Sequence, residues 1–137
     1  MDKNAMIGKL SIYAFMGGTL IAILVGLWQA VQLEGGNNFF ATNTGGILAW
    51  ILAIIGAIVG ILAFLGKGTI TKEEVPGFLM AGVALLVMYA VFQGSYMLLN
   101  PWIGSLLTGI SLSLAIFIVP AVGLLAIKAI WDIGKSV

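Results

Sequence analysis

Few side chains in this sequence could do chemistry. It contains no His and no Cys, which removes the commonest general base, the commonest metal ligand and the thiolate nucleophile. It also contains no Arg, the usual bidentate clamp for phosphate or carboxylate groups. The acidic residues lie in polar segments or at the edges of apolar runs, namely Asp2, Glu34, Glu73, Glu74 and Asp132. We therefore expect a protein that is not an enzyme and that uses no cofactor and no metal.

The position of the acidic residues also bears on transport. Proton- and sodium-coupled transporters usually keep an ionisable residue inside the membrane as a relay or ion site. Small multidrug transporters have four spans and a similar length, but they carry a Glu within the first helix, and no acid lies within the first apolar run here. A net charge of +1 and the absence of a basic patch give no indication of nucleic-acid binding.

Neutral polar side chains are the remaining candidates. Nine of them map to one end of the predicted helices: Gln29, Gln32, Gln93, Ser95, Tyr96, Asn100, Ser105, Thr108 and Ser111. One interpretation is a pocket or pore mouth for a neutral solute. The other is hydrogen bonding between helices, at about 0.6 kcal/mol per bond on average. We favour hydrogen bonding, because no charge or aromatic cage focuses these residues on a ligand.

The elements that position these residues are apolar helices. Hydrophobic residues make up 61% of the 137 residues and charged residues 8%, whereas about 25% charge is typical of a soluble domain. Uncharged runs of about 20 residues can cross a bilayer as helices. The sequence predicts four such spans, at about 10–33, 45–65, 77–99 and 105–131. Short connections make sequence neighbours antiparallel, so we expect an all-α, single-domain bundle over residues 1–137.

Small residues recur at helical spacing in the first two spans. In the second span they follow steps of three and four residues, and in the first span steps of four; they are Gly46, Ala49, Ala53, Gly56, Gly60 and Ala63, and Gly18, Ala22, Gly26 and Ala30. Close backbone approach drives helix association in lipid, and small residues permit it. The pattern predicts a packing seam, with the second span as the helix against which the others pack.

Three local features are also predicted. Asn43 or Thr44 is expected to cap the second span, because a side-chain oxygen can accept from the first turn of a helix. Phe39 and Phe40, unusual in a loop, could enter the membrane interface, touch a neighbouring subunit or fold back over the helix ends. Pro120 cannot donate a backbone hydrogen bond and is expected to kink the fourth span.

All six positive charges fall on one side of this topology. Two Lys precede the first span, two lie between the second and third spans, and two follow the middle of the fourth, namely Lys3, Lys9, Lys67, Lys72, Lys128 and Lys135. Because positive charge is retained in the cytoplasm, the pattern predicts a multi-pass protein of the cytoplasmic (cell) membrane with both termini inside.

The order of spans resembles a group of small four-span membrane proteins from archaea and little-studied bacteria. The stretches that carry this resemblance are Gly46–Leu52 running into Gly56–Leu62, and Ile118–Ala121 with Ala126–Ile130. The resemblance covers most of the chain and contains no catalytic motif. It implies a four-span fold and no particular activity.

Two functions remain open at this point. The first is a non-enzymatic, self-associating membrane protein, either a structural unit of an assembly or an accessory subunit of a larger complex. Its partners would be membrane lipid, further copies of itself or other membrane subunits. The alternative is a passive channel or carrier for a neutral or hydrophobic small solute, lined by the neutral polar residues. Flux into liposomes distinguishes the two.

Overall fold

The described part of the chain forms four long helices. The computed structural model describes residues 3–35, 37–66, 70, 73–92 and 101–135. The helices are α1 (Lys3–Glu34), α2 (Asn43–Phe64), α3 (Val75–Phe92) and α4 (Pro101–Lys135), with a short 3-10 turn at Phe39–Ala41 before α2. All four are long and apolar enough to cross a membrane. The predicted all-α bundle of four membrane helices is therefore confirmed.

The central helix of the bundle is α4. It contacts α1, α2 and α3 extensively, whereas α1 and α2 share a smaller contact. The expectation that the second span is the central helix was wrong. The reason is that α4 also presents small residues to its neighbours, but many of them are Ser and Thr, as in the buried Ser105, Thr108 and Ser113. Hydroxyl residues permit close packing in membranes much as Gly and Ala do.

Glycines of α2 bring its backbone against α4. A Cβ on Gly56 would overlap the carbonyl oxygen of Phe117, and one on Gly60 would lie 2.6 Å from the Cα of Ala121. Real Cβ atoms essentially never approach other atoms this closely. The two helices run parallel, because residues later in α2 meet residues later in α4.

A second close contact joins α1 to α4 in the antiparallel direction. A Cβ on Gly26 would lie 2.8 Å from the Cα of Ile110, and one on Gly109 would lie 2.7 Å from the backbone nitrogen of Ala30. Nearer the middle of α1, Gly18 makes room for the ring of Phe117. Phe117 is 1% exposed and packs with Ala22 and Leu52, so α1, α2 and α4 share one core.

Of the four helices, α3 packs least extensively against the rest of the described bundle. Among the residues that the structure describes, Gly82 is the only buried member of α3, and it lies against Val122 of α4. The ring of Phe78 extends across to Phe15 of α1, with ring centroids 6.3 Å apart. Val75 and Leu79 are half-buried against the core cluster that includes Val59 and Leu125, and much of the remaining surface of α3 is exposed.

The ends of α2 are closed by specific caps. Thr42, and not Asn43 or Thr44 as expected, is the N-cap: its Oγ1 accepts a hydrogen bond from the backbone N–H of Gly45 at 3.0 Å. Thr42 is the last residue with extended backbone before α2, which is the geometry an N-cap needs.

At the C-terminal end of α2, Gly66 adopts a positive φ of 77° and donates its backbone N–H to the carbonyl oxygen of Ala63. A glycine in this left-handed conformation is a common helix stop.

A side chain from α4 also caps the C-terminal end of α2. The Nζ of Lys128 donates to the carbonyl oxygen of Phe64 at 2.7 Å and lies 5.5 Å from the centroid of the Phe64 ring. A cation at a helix C-terminus is favourable because the carbonyls there carry partial negative charge. Farther back in α4, the helix continues through Pro120. The kink expected at Pro120 stays a prediction.

Candidate functional site

The neutral polar residues were the strongest candidates for a site, and Gln29 is the best defined of them. Its side chain is 1% exposed. Its Nε2 donates to the Oδ1 of Asn38 at 2.9 Å, and its Oε1 accepts from the backbone N–H of Phe40 at 3.3 Å. Gln29 thus binds the loop between α1 and α2, and its amide is not presented to a solute.

Aromatic contacts hold the same loop. The rings of Trp28 and Phe39 meet edge to face at a centroid distance of 6.3 Å, and Phe39 stacks at a tilt on Phe40. Phe39 thus folds back over the end of α1, and contacts of the two Phe residues with the membrane interface or a neighbouring subunit stay predictions. Edge-to-face packing of this kind adds to the burial of the rings.

The end of α1 is tied to the start of α4 by a charged hydrogen bond. The hydroxyl of the fully buried Ser105 donates to the Oε2 of Glu34 at 2.6 Å. Hydrogen bonds to a charged group are stronger than those between neutral groups. Because α4 begins at Pro101, the Glu34 carboxylate also lies near the N-terminal end of that helix, where negative charge is favourable.

The remaining members of the predicted set are dispersed or self-satisfied. Ser111 is buried and donates to the carbonyl oxygen of Leu107 in its own helix. Thr108 is also buried, and its hydroxyl has no hydrogen-bond partner among the described residues. Gln32 is half-buried one turn beyond Gln29, and its backbone carbonyl accepts from Asn37 at 2.8 Å. Gln93, Ser95, Tyr96 and Asn100 lie outside the described residues.

The packing seam is likewise only partly buried. Gly56, Gly60 and Ala63 of α2 are buried, as are Gly18, Ala22, Gly26 and Ala30 of α1. Gly46, Ala49 and Ala53, in the first half of α2, are half-buried. The closest glycine contacts of the seam join helices of the same chain, as with Gly56 and Phe117, and a role of the seam between subunits stays a prediction.

The described helices pack closely at the point where all four meet. The crevice where α1, α2, α3 and α4 meet is lined by residues that include Phe15, Gly56, Phe78 and Phe117. It has no room for a water molecule, and dense packing of this kind is typical of a core. At this depth the described residues form a packed interior.

Two contacts escaped the sequence reasoning. One is the partnership of Gln29 with Asn38, which turns a candidate pocket residue into a loop anchor. The other is the contact of Lys128 with the end of α2. A sequence signal existed for the second: Lys128 stands more than a turn before the charged end of α4, which is unusual for a residue that only sets topology.

Comparison with known proteins supports the four-span architecture. The chain is 32% identical to Tetraspanin-11 from Bos taurus over 77 residues, and these cover 56% of this chain and 30% of the relative. It is 30% identical to Tetraspanin-11 from Mus musculus over 81 residues, covering 59% of this chain and 32% of the relative. The chain thus spans about a third of the length of the curated relatives it matches. No family model and no solved structure matches the chain.

The comparisons and the structure agree on a coarse description. The protein is a small four-span integral membrane protein with a weak, partial likeness to tetraspanins. Membrane helices draw on few residue types, so identity at this level over part of the chain transfers an architecture and no activity. The resemblance to the archaeal and bacterial group stays a prediction.

Proposed function

We propose that this protein is a non-enzymatic membrane protein that associates with itself, as the structural unit of an assembly or an accessory subunit of a larger membrane complex. The observation that carries the proposal is the thin attachment of α3. Among the described residues only Gly82 of α3 is buried, the backbone of α3 lies close to that of α4 alone, and a few side chains such as Phe78 extend to the other helices. Helices in lipid are held by packing and hydrogen bonds. A second chain packed on α3 would supply contacts that its own chain does not.

The outward face of α3 has the spacing of a helix-pairing surface. Gly77, Met80, Ala84, Val87 and Val91 are all exposed and follow steps of three and four residues. This is heptad spacing, which aligns residues along one side of a helix. Gly82, which faces α4, lies on the opposite side. A small residue at Ala84, in the middle of this face, would let a partner helix approach closely.

The experiment measures oligomeric size in lipid discs and uses Ala84→Phe as the test variant. Wild type is expected to contain more than one copy, and Ala84→Phe to shift the population toward a single copy. Leu24→Phe is the matched control, because Leu24 is 65% exposed on α1 and lies outside the α3 face. A wild-type protein that stays a single copy at every protein-to-lipid ratio contradicts self-association.

The arrangement in the membrane belongs to the same proposal. We infer that both termini and the connection between α2 and α3 are cytoplasmic, which is supported by the sidedness of the six Lys residues. The chain has no Cys, so single cysteines can be introduced as labels. Cysteines placed at Gly134 and Asn37 should react with an impermeant reagent from opposite sides of the membrane, Asn37 from outside. The reverse pattern refutes the orientation.

A passive channel or carrier is the second candidate, and one observation favours it. Thr108 and Ser113 have buried hydroxyls without a hydrogen-bond partner among the described residues. Liposome flux of small neutral solutes tests this candidate. Flux that falls with Thr108→Val, a change that keeps the shape and removes the hydroxyl, favours transport. Absence of flux in wild type excludes this role for the solutes tested.

A further inference from the structure

We propose that the cytoplasmic end of α4 binds an anionic phospholipid. A cleft of about 540 Å³ lies along the last turns of this helix and is lined by Ile127, Ile130, Trp131, Gly134 and Lys135. Its described lining residues all belong to α4, so the cleft is open along its outer side. The cleft is separate from the α3 face and from the polar residues at the other end of the bundle.

The contact between Lys128 and Phe64 shows where the cleft lies along the bundle. That contact marks the end of α2, and the cleft residues occupy the turns of α4 around it and beyond. Ile130 is 71% exposed here and Trp131 66%. Apolar side chains this exposed at the end of a membrane helix require lipid around them. Trp and Lys at this level are the residues that anchor membrane helices at the interface.

The helix is two-sided at this end. With 3.6 residues per turn, Ile127, Ile130 and Trp131 fall on one side, together with Gly134. Asp132 falls on the other side, whereas Lys128 and Lys135, seven residues apart, both fall near the border between the two sides, and Lys128 binds the end of α2 there. The side that faces away from the bundle is therefore apolar, and Lys135 stands at its border. This arrangement suits a ligand with an apolar chain and a charged head.

The polar groups of the cleft indicate which type of lipid headgroup it would bind. Trp131 and Lys135 are the lining residues with polar side-chain atoms, and both can only donate hydrogen bonds. No acidic side chain lines the cleft among the described residues. A phosphate diester offers only acceptors and carries negative charge, so it complements both donors. The acyl chain of the same molecule fits against Ile127, Ile130 and the open surface beside Gly134, where an added Cβ would meet no atom of the described residues within 4 Å.

The test is contact quenching of Trp131 fluorescence by phospholipids with brominated acyl chains. The full chain is reconstituted in phosphatidylcholine vesicles that contain brominated phosphatidylglycerol or, separately, brominated phosphatidylcholine. Four Trp residues contribute to the emission, so the difference between wild type and Trp131→Phe isolates the signal of Trp131. We expect apparent binding of the anionic lipid to exceed that of phosphatidylcholine about fivefold, the ratio expected of one Lys near a membrane surface.

Charge-removing variants decide whether the cleft is responsible. Lys135→Gln should abolish the excess quenching by phosphatidylglycerol. Lys9→Gln should retain it. This change also removes one positive charge at the same end of the bundle, but Lys9 does not line the cleft. Both side chains are exposed, so neither change disturbs the core.

Three outcomes overturn the proposal. Equal quenching by the two lipids in wild type shows no headgroup preference. Excess quenching that survives Lys135→Gln places the preference elsewhere. Absence of quenching of Trp131 by either lipid shows that the cleft is covered by protein, whether a second copy or another segment.

Discussion

The backbone of Gly56 lies directly against the carbonyl oxygen of Phe117, with no space for a side chain between them. This contact brings α2 onto α4 at the level where Phe117 also fills the gap left by Gly18 of α1. One residue of α4 thus meets glycines from two different helices. Cα–H groups commonly approach carbonyl oxygens at helix interfaces, where each such contact contributes a fraction of a kcal/mol to about 1 kcal/mol.

Gly56→Ala should therefore destabilise the bundle. The added methyl group would overlap the Phe117 carbonyl, and overpacking of a core typically costs about 1–3 kcal/mol. Unfolding by denaturant in mixed micelles measures the change. Gly123→Ala is the matched control, because a Cβ there meets nothing within 4 Å and α4 should tolerate it. Equal stability of the two variants would mean that α2 does not pack on α4 through Gly56.

Gln29→Leu should release the loop between α1 and α2. The change removes the hydrogen bonds to Asn38 and to the Phe40 backbone while keeping an apolar side chain at a buried position. Amide hydrogen exchange at Phe40 should rise about threefold or more, which corresponds to ~0.6 kcal/mol for a typical hydrogen bond in a membrane protein. Gln32→Leu, one turn along the same helix, should leave exchange at Phe40 unchanged. Unaltered exchange in Gln29→Leu argues that the aromatic contacts alone hold the loop.

Glu34 and Ser105 should show energetic coupling. Glu34→Gln removes the charge, Ser105→Ala removes the donor, and the double variant completes a thermodynamic cycle. Their 2.6 Å hydrogen bond should give a coupling of about 1 kcal/mol, below the 1.5–3 kcal/mol of well-shielded charged hydrogen bonds because Glu34 is only half-buried. Additive effects of the two single changes would show that the contact contributes nothing to stability.

Lys128→Met should weaken the end of α2. It keeps most of the side-chain volume but removes the cation that covers the Phe64 carbonyl, a favourable interaction of about 0.3–1 kcal/mol at a helix C-terminus. Faster amide exchange in the last turn of α2, with little change in α1, is the expected readout. Lys9→Met provides the control for loss of a charge at the same end. If both variants behave alike, the effect is one of overall charge and not of capping.

Much of the architecture could be predicted because lipid imposes simple rules on sequence. Four uncharged runs gave four helices, and small residues at helical spacing fell largely on buried faces, as with Gly26 and Gly60. The central helix was not predicted, because Ser105, Thr108 and Ser111 were interpreted as polar groups when their small size also matters for packing. Spacing reports which residues share a face but not which neighbour that face meets.

The polar candidates were harder to interpret for a related reason. A buried amide such as Gln29 serves equally well as a ligand contact or as an anchor, and the choice depends on whether a loop comes within reach. That depends on the three-dimensional path of residues 37–42, which local sequence rules leave open. The cap at Thr42 shows the same limit on a smaller scale, since three adjacent polar residues could each have capped α2.

The position of α4 at the hub has a consequence for biosynthesis. Chains emerge from the ribosome beginning with their N-terminus, so α1, α2 and α3 enter the bilayer before the helix that unites them. Until α4 is inserted, the glycines of α1 and α2 that pack against α4 face acyl chains or one another, and α3 lacks its main contact surface. Assembly of the bundle is therefore a late event, and a ribosome stalled before Pro101 leaves α1, α2 and α3 without the helix that makes most of their contacts.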